Sequence, residues 1–476
     1  MAQADAFKNL VAHCKEYGFI FQSSEVYDGL AAVYDYGPFG AELKNNIKQY
    51  WWKAMVQMHD NIVGLDSAIF MHPKIWKASG HVDAFNDPLV DNKESKKRYR
   101  ADVLIEDYVA KIDAKINKEV TKAKKRFGDA FDEAQFISTN PRVVANTKKK
   151  AKIMDRFVAA TAAGNMAELK QIIEDCEIAC PVSGTKNWTD VRQFNLMFST
   201  QMGSVASDDT ESKLYLRPET AQGIFVNFLN VQKTARQKIP FGIAQIGKAF
   251  RNEIVARQFV FRMREFEQME MQFFVAPGTE LEWYNYWKEV RMNWHKKVTP
   301  ENKLRFHDHD NLAHYANAAL DIEFEFPFGF KELEGIHSRT DFDLSAHQEL
   351  SGRKIQYFDP ERNESYVPFV VETSIGVDRM FLTTMANALT EETLTDAEGK
   401  ETQRVVLNLH PALAPMKVAV LPLTKKDGLA EKGKEIFADL KFEFNCHYEE
   451  KDSIGKRYRR QDAIGTPFCI TVDHQT

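Results

Sequence analysis

Cysteine is scarce in this chain. Its five cysteines, at positions 14, 176, 180, 446 and 469, follow no repeating spacing, which excludes a disulfide framework and suits a reducing compartment. No apolar run approaches membrane-spanning length, so no membrane partner is expected. The first residues, MAQADAFKNLVAHCKEYG, are amphipathic and carry acids, unlike a signal or transit peptide. No internal repeat is found. Neither charge sign dominates: 63 Lys+Arg against 68 Asp+Glu leaves a net charge of -5. That excludes a uniformly basic nucleic-acid coat and leaves local basic surfaces open. A soluble cytoplasmic protein is the expectation.

What is present points to several domains. The 476 residues, 44% hydrophobic and 28% charged, are many for one core. Residues 1–90 mix helix with short β-rich pieces, and AELKNNIKQYWWKAMVQMH (41–59) reads as a long amphipathic helix through Leu43, Ile47, Tyr50/Trp51 and Ala54/Met55. Residues 91–180 turn helical and charged; twelve Lys/Arg against six Asp/Glu between Lys93 and Arg126 mark a net-positive helical insertion. Residues 181–410 return to strands with hairpin-like alternation, predicting a mostly antiparallel sheet with flanking helices. After the proline-marked linker LHPALAPM, residues 415–476 alternate β and α in a unit short for an independent α/β domain. The fold class is therefore α+β.

The chemistry concentrates in FRNEIVARQFVFRMREFEQMEMQFF, residues 250–274. Just upstream, GIAQIGKA (242–249) begins like a P-loop, but Ala249 stands where a magnesium-holding Ser or Thr is needed, so it reads as a strand. Period-two alternation puts Gln245, Arg251 and Glu253 on one face of that incoming strand. On the outgoing strand it puts Phe266, Gln268, Glu270 and Gln272 on one face, and Glu267, Met269, Met271 and Phe273 on the other. Residues 254–263 form the connecting loop. One face is core and the other an ordered polar platform. Arg and Glu at i, i+2 beside an aromatic suit a triphosphate and a flat base: guanidinium for phosphate oxygens, carboxylate for an exocyclic amine, a ring for stacking.

FRNE followed by RMREFEQME resembles motif 2 of the class II aminoacyl-tRNA synthetases, and ETSIGVDR (372–379) resembles their motif 3. MHPKIWKASGH (71–81), with the helix before it, looks like motif 1, the dimer-interface element. YDYGPFGAELKNN, RADVLIED, FNLMF, YLRPETAQGIFVNF, AHYANAALDIEF and ELEGI narrow the resemblance to glycyl-tRNA synthetases of the homodimeric type, from about Phe19 to the end. This implies a class II catalytic core, a helical insertion and a C-terminal anticodon-binding domain that stops at CITVDHQT, before that domain's last elements. It also implies ATP, glycine and tRNA(Gly) as partners, a homodimer, and Mg²⁺ accompanying ATP; no zinc is expected. The basic helices of the insertion are candidates for acceptor-stem contact.

Site residues carry over by position. Arg251 and Arg379 are the implied catalytic residues, on the α- and γ-phosphates. Arg251, Asn252, Glu253, Phe261, Arg264, Phe266, Glu332, Leu333, Gly376, Asp378 and Arg379 form the implied ATP site. Glu253 would take the adenine amine, and Phe266 would stack on the base. Glu332 and Glu372 are the implied Mg²⁺ ligands, hard oxygens suited to a phosphate-bound ion. Arg100, Glu219, Gln268, Glu270, Arg339, Glu372 and Ser374 are implied around glycine. Arg217 reads as a structural partner. Carboxylates crowding the pocket would exclude a side chain, so no editing domain is needed. Larger-substrate synthetases, a non-catalytic synthetase-like binder and a small-molecule ligase of the same fold are the alternatives; the carboxylate pair argues against the first, the retained arginines against the second, and the basic insertion with the C-terminal α/β unit against the third. Cys176 and Cys180 lack a second pair at zinc spacing, and HDHD (307–310) reads as a polar turn and N-cap before a helix.

Overall fold

The computed structural model describes residues 3–128, 131–202, 213–254, 258–309, 312–313, 315–395, 399 and 401–476. Its centre is a seven-stranded sheet: β1 (Ile62–Gly64), β2 (Phe241–Phe250), β3 (Glu265–Val275), β4 (Leu304–Asp308), β5 (Ala318–Phe326), β6 (Gly329–Thr340) and β7 (Phe369–Gly376). The spatial order is β4-β5-β6-β7-β3-β2-β1. All neighbours run antiparallel except β1, which lies parallel to β2. The P-loop-like GIAQIGKA is indeed strand, within β2.

Strand alternation separates two apolar layers. Met269, Met271 and Phe273 join a core with Leu43, Ile47 and Trp51 of the Pro38–Trp52 helix, Trp287 and Trp294 of the Glu280–Lys296 helix, and Phe381 of the Val377–Ala388 helix. The Pro38–Trp52 helix continues as a π-helical turn, Lys53–Gln57. On the opposite face Phe274, Phe241 and Ile243 pack against Ile224, Phe225 and Phe228 of the Ala221–Thr234 helix and Leu344 of the Phe342–Ser351 helix. The platform is therefore closed at one end by aromatic packing. Its polar middle is also buried: Gln245 and Gln272 are fully enclosed and Glu270 nearly so. The open polar floor expected from alternation narrows to the end near Phe266.

Two β-bulges alter the expected parity. In the β5–β6 ladder Ile322 pairs with Glu334 but Glu323 with Glu332, so Leu333 is the extra residue. This turns Glu332 to the face carrying Gly335 and His337, where simple alternation would have grouped it with Glu334. In the β6–β7 ladder Ser338 pairs with Val371 and Thr340 with Val370, leaving Arg339 as the bulged residue.

A second compact unit spans Gly80–Leu196 with residues from Asn252, wider than the 91–180 read from composition. The reason is a three-stranded antiparallel sheet, Arg98–Arg100, Asn86–Asp91 and Arg192–Asn195, that closes the unit at its two chain ends. Its helices Ala101–Phe127, Pro141–Ala162 and Met166–Asp175 bury Leu104, Ile105, Ile153, Phe157, Ile172 and Trp188 in a separate core. Asn140 caps the second helix ahead of Pro141, and Asn165 caps the third, each satisfying otherwise unpaired backbone donors.

At the C-terminal end β8 (Val418–Pro422) lies between β9 (Cys446–Tyr448) and β10 (Phe468–Val472), all parallel. Helices Leu429–Leu440 and Ile454–Ile464 accompany them; the second, rich in arginine, escaped the sequence reading. So did the hairpin Leu389–Thr395/Glu401–Leu407. HDHD does not cap a helix. His307 and Asp308 end β4, His309 pairs with Asp321 at 2.9 Å, and the next described element is β5; ladder pairing with β5 overrides the local turn signal. Asp310 lies outside the described residues.

Candidate active site

The polar face of β3, β7 and β6 carries two groups of residues. The first is built from two arginine–aromatic pairs. Arg251 leaves β2 with its N–H donating to Arg264 O at 2.9 Å, so the β2–β3 ladder continues past the strand end. Its Nε donates to Pro218 O at 3.1 Å, and its guanidinium lies 5.3 Å from the Phe266 ring centre. Arg379 stands in the first turn of the Val377–Ala388 helix. Its Nη1 pairs with Glu332 Oε2 at 3.0 Å, Nε donates to Phe261 O at 3.3 Å, and the guanidinium sits 4.4 Å over the Phe261 ring. Phe261 is braced edge-on by Phe326 and Phe328. Both cations are thus pre-oriented by a ring and a fixed acceptor. The Arg379 charge holds the half-exposed Glu332 carboxylate below its ordinary range.

The second group is a buried carboxylate pocket. Cross-strand pairing brings Glu270 opposite Gln245 and Ser374, and Glu372 opposite Gln272 and His337. Glu219 and Thr220 reach it from the turn before the Ala221–Thr234 helix. Thr220 donates its hydroxyl to Glu270 and its N–H to Gln268 Oε1 at 3.2 Å. Gln268 Nε2 donates to Ser374 Oγ at 3.4 Å. Gln272 Nε2 donates to Glu270 at 2.9 Å and Glu372 at 2.6 Å. Arg339 spans Asp343 (2.8 Å) and Glu372 (3.3 Å) and stacks 4.1 Å from the Tyr315 ring centre.

The two neighbouring glutamates are driven apart in acidity. Burial, then the charges of Glu372 and Glu219, push the Glu270 carboxyl well above its ordinary range. Burial also disfavours the Glu372 anion, but Arg339, His337 and Gln272 outweigh it and hold that group well below its usual value. The pocket thus holds one carboxyl shifted up beside one shifted down.

Several expected residues sit elsewhere. Asp378 is buried and accepts from Tyr36 Oη, Lys44 Nζ and the Glu267 N–H; it ties helix to strand. Leu333 buries its side chain in the core, leaving only its backbone to serve a site. Gly376 is the residue before the Arg379 helix and pairs with Gln268. Arg264 lies at the rim, with Nη1 3.3 Å from Ala31 O. Arg100, Asn252 and Glu253 belong to the second unit. There Arg100 pairs with Asp87 at 3.1 Å and Asp102 at 2.6 Å, and Glu253 adds to its field. Arg217 is structural as read, donating to Lys248 O at 2.6 Å and Ser67 O at 2.8 Å.

Glu332 and Glu372 do not converge on one ion. Glu372 pairs with His337, so about four strand rises, roughly 13 Å, separate the two along β6. Among the described residues no group of three or more His, Cys, Asp or Glu is placed to hold a metal. Thr220, Gln222, Gln272, His337, Asp343 and His347 were missed; only Gln272 carried a signal, its parity with Glu270.

A sheet of this order, with an arginine at a strand end, an arginine at a helix start and acids between them, defines the class II aminoacyl-tRNA synthetases. Residues 198–388 match the tRNA synthetase class II core domain (G, H, P, S and T). Residues 87–196 match glycyl-tRNA synthetase insertion domain 1, and residues 417–476 the anticodon binding domain. The chain is 51% identical over 473 residues to the glycine–tRNA ligase of Chlorobaculum tepidum, covering 98% of this chain and 92% of that protein. It is 50% identical over 469 residues to that of Staphylococcus haemolyticus, covering 98% and 91%. The chain belongs to the glycine–tRNA ligase family. In fold it is similar to Giardia lamblia prolyl-tRNA synthetase in complex with prolyl-adenylate, with a TM-score of 0.58 at 14% identity, covering 98% of this chain and 70% of that one.

Proposed function

We propose that this protein activates glycine with ATP, giving glycyl-adenylate and pyrophosphate, and transfers the glycyl group to the 3′ end of tRNA(Gly). The glycine carboxylate attacks the α-phosphorus, and pyrophosphate carries away the electrons of the broken P–O bond. A ribose hydroxyl of the terminal adenosine then attacks the carbonyl, AMP leaves, and the hydroxyl proton is released to solvent. No protein nucleophile takes part; catalysis is positioning and charge stabilisation. The observation that carries this reading is one sheet face bearing both the arginine–aromatic pairs and the carboxylate pocket.

Arg251 takes the α-phosphate and Arg379 the γ-phosphate, where the helix N-terminus adds a favourable field. Adenine stacks on Phe266, with Arg264 bordering it. Glycine's ammonium lies among Glu219, Glu372, Ser374 and Gln268, with Glu270 beneath, and its carboxylate turns toward Arg339. A β-carbon would meet this carboxylate ring, which sets the substrate by exclusion. ATP arrives as its magnesium complex. Half-exposed, ionised Glu332 fits such an ion through water. Glu372 does not, because both its oxygens already accept from buried donors. The ion supplies neutralisation of phosphate charge.

The match of residues 417–476 to an anticodon-binding domain and the lysine-rich Ala101–Phe127 helix support tRNA as partner. A homodimer, through the motif 1 segment at residues 71–81, is part of this reading. Among the described residues no helix is long and apolar enough to cross a membrane, in keeping with the cytoplasm. Glycine-dependent ATP–pyrophosphate exchange, run across all twenty amino acids, tests the reading. Arg251→Ala is expected to lose at least about 100-fold in exchange while folding normally. Near-normal exchange in that variant, or activation of another amino acid, overturns it.

A further inference from the structure

Behind the carboxylates lies a buried amide that touches none of the reacting groups. Gln222 is fully enclosed in the first turn of the Ala221–Thr234 helix. Its Nε2 donates to Glu219 Oε1 at 2.9 Å and to Asp343 Oδ1 at 2.9 Å. Its Oε1 lies 2.8 Å from His347 Nε2. Two carboxylates on one side demand the NH₂ there, so the carbonyl must face the imidazole and accept from Nε2–H. Reversing the amide would set its oxygen against both anions. Burial lowers the basicity of His347, so the neutral Nε2–H tautomer is the form that holds the amide. Asp343, one helical turn before His347, receives Arg339 in a two-bond fork at 2.8 and 3.0 Å, and Arg339 reaches on to Glu372. One amide thereby fixes Glu219 directly and Glu372 through Asp343 and Arg339.

We propose that Gln222 is the positioning residue that sets the spacing of Glu219 and Glu372 for the glycine ammonium, and that His347 acts only through Gln222 by fixing its amide orientation. This rests on glycine activation at the site. Its signature is selective: Gln222 hydrogen-bonds the carboxylates and His347 and neither arginine of the arginine–aromatic pairs, so glycine parameters should shift more than ATP parameters.

The test measures pyrophosphate exchange for the full chain and for Gln222→Met, His347→Leu and the double variant, with thermal unfolding alongside. Gln222→Met keeps the volume and removes both donors. It is expected to raise the glycine KM about 10-fold or more, with the ATP KM changed less than about twofold. His347→Leu is expected to raise the glycine KM several-fold in the native background and to add nothing in the Gln222→Met background. His347→Gln, which keeps an N–H donor, should restore most of the native value. Should Gln222→Met fail to fold, the contrast of His347→Leu with His347→Gln carries the test. An unchanged glycine KM, parallel rises for glycine and ATP, additive effects in the double variant, or equal damage from His347→Leu and His347→Gln would overturn the proposal. Absence of glycine-dependent exchange in the unmodified chain would instead overturn the functional reading itself.

Discussion

Replacing Arg291 by methionine should destabilise the catalytic core and reverse the pH dependence of one buried carboxylate. Arg291 and His295, one turn apart on the Glu280–Lys296 helix, both grip Glu334 of β6. The distances are 2.6 and 3.2 Å from Arg291 and 2.6 Å from His295, and all three side chains are at most 2% exposed. Removing one partner of such a group leaves an uncompensated buried charge, which costs about 3–5 kcal/mol. The sign of the pH effect follows from the same geometry. Burial disfavours the Glu334 anion, but Arg291 and His295 hold its pKa below the ordinary value of 4.5. Its stabilisation is therefore complete above pH 4.5 and lost as pH falls through the depressed value. His295 is likewise depressed by burial below 6.5, so its contribution also fades as pH drops below that point. Without Arg291, burial dominates and raises Glu334 above 4.5; stability is then lost as pH climbs. Urea unfolding followed by circular dichroism at pH 5 and pH 8 should show the gap between native and variant widening at the higher pH. Arg291→Met combined with Glu334→Leu should recover more than half the loss, because the uncompensated charge is gone. A loss below about 1 kcal/mol, or a gap independent of pH, would refute the account.

The pocket glutamates should respond oppositely to neutralisation. Burial and neighbouring charge raise the Glu270 carboxyl well above its ordinary range, so its contribution is present below its unfolded value and lost as pH rises through the folded one; Glu270→Gln should raise the thermal midpoint increasingly as pH rises. Glu372→Gln, which strips an anion from Arg339 and His337, should lower it, and equal effects from the two would contradict the assigned charges. Gly40→Ala should be poorly tolerated despite lying in a helix, because the added carbon would run into the Phe19 carbonyl; unchanged thermal unfolding would show that the packing relaxes.

Much of the catalytic core was legible because it rests on local periodicity. The alternation in EFEQMEMQFFV separates Met269 and Met271 from Glu270 and Gln272 without reference to any other segment, and the structure keeps that separation. The Pro38–Trp52 helix was likewise readable from Leu43, Ile47 and Trp51. Asp378 was misplaced because motif position says nothing of direction; its side chain is captured by Tyr36 and Lys44 from more than 300 positions away in sequence. HDHD was misread because its partner, β5, overrode the local turn signal.

By itself, then, the sequence determined the α+β class and the two faces of the motif 2 hairpin, properties set by nearest neighbours and short spacings. Tertiary structure alone decided that bulges at Leu333 and Arg339 aim Glu332 and Arg339 across the sheet. It also decided that Glu270 is pushed above its ordinary pKa range while Glu372 is held below it. A bulge depends on the register of a partner strand, and acidity depends on burial and on charges brought together by folding. Neither quantity exists until the chain has closed on itself.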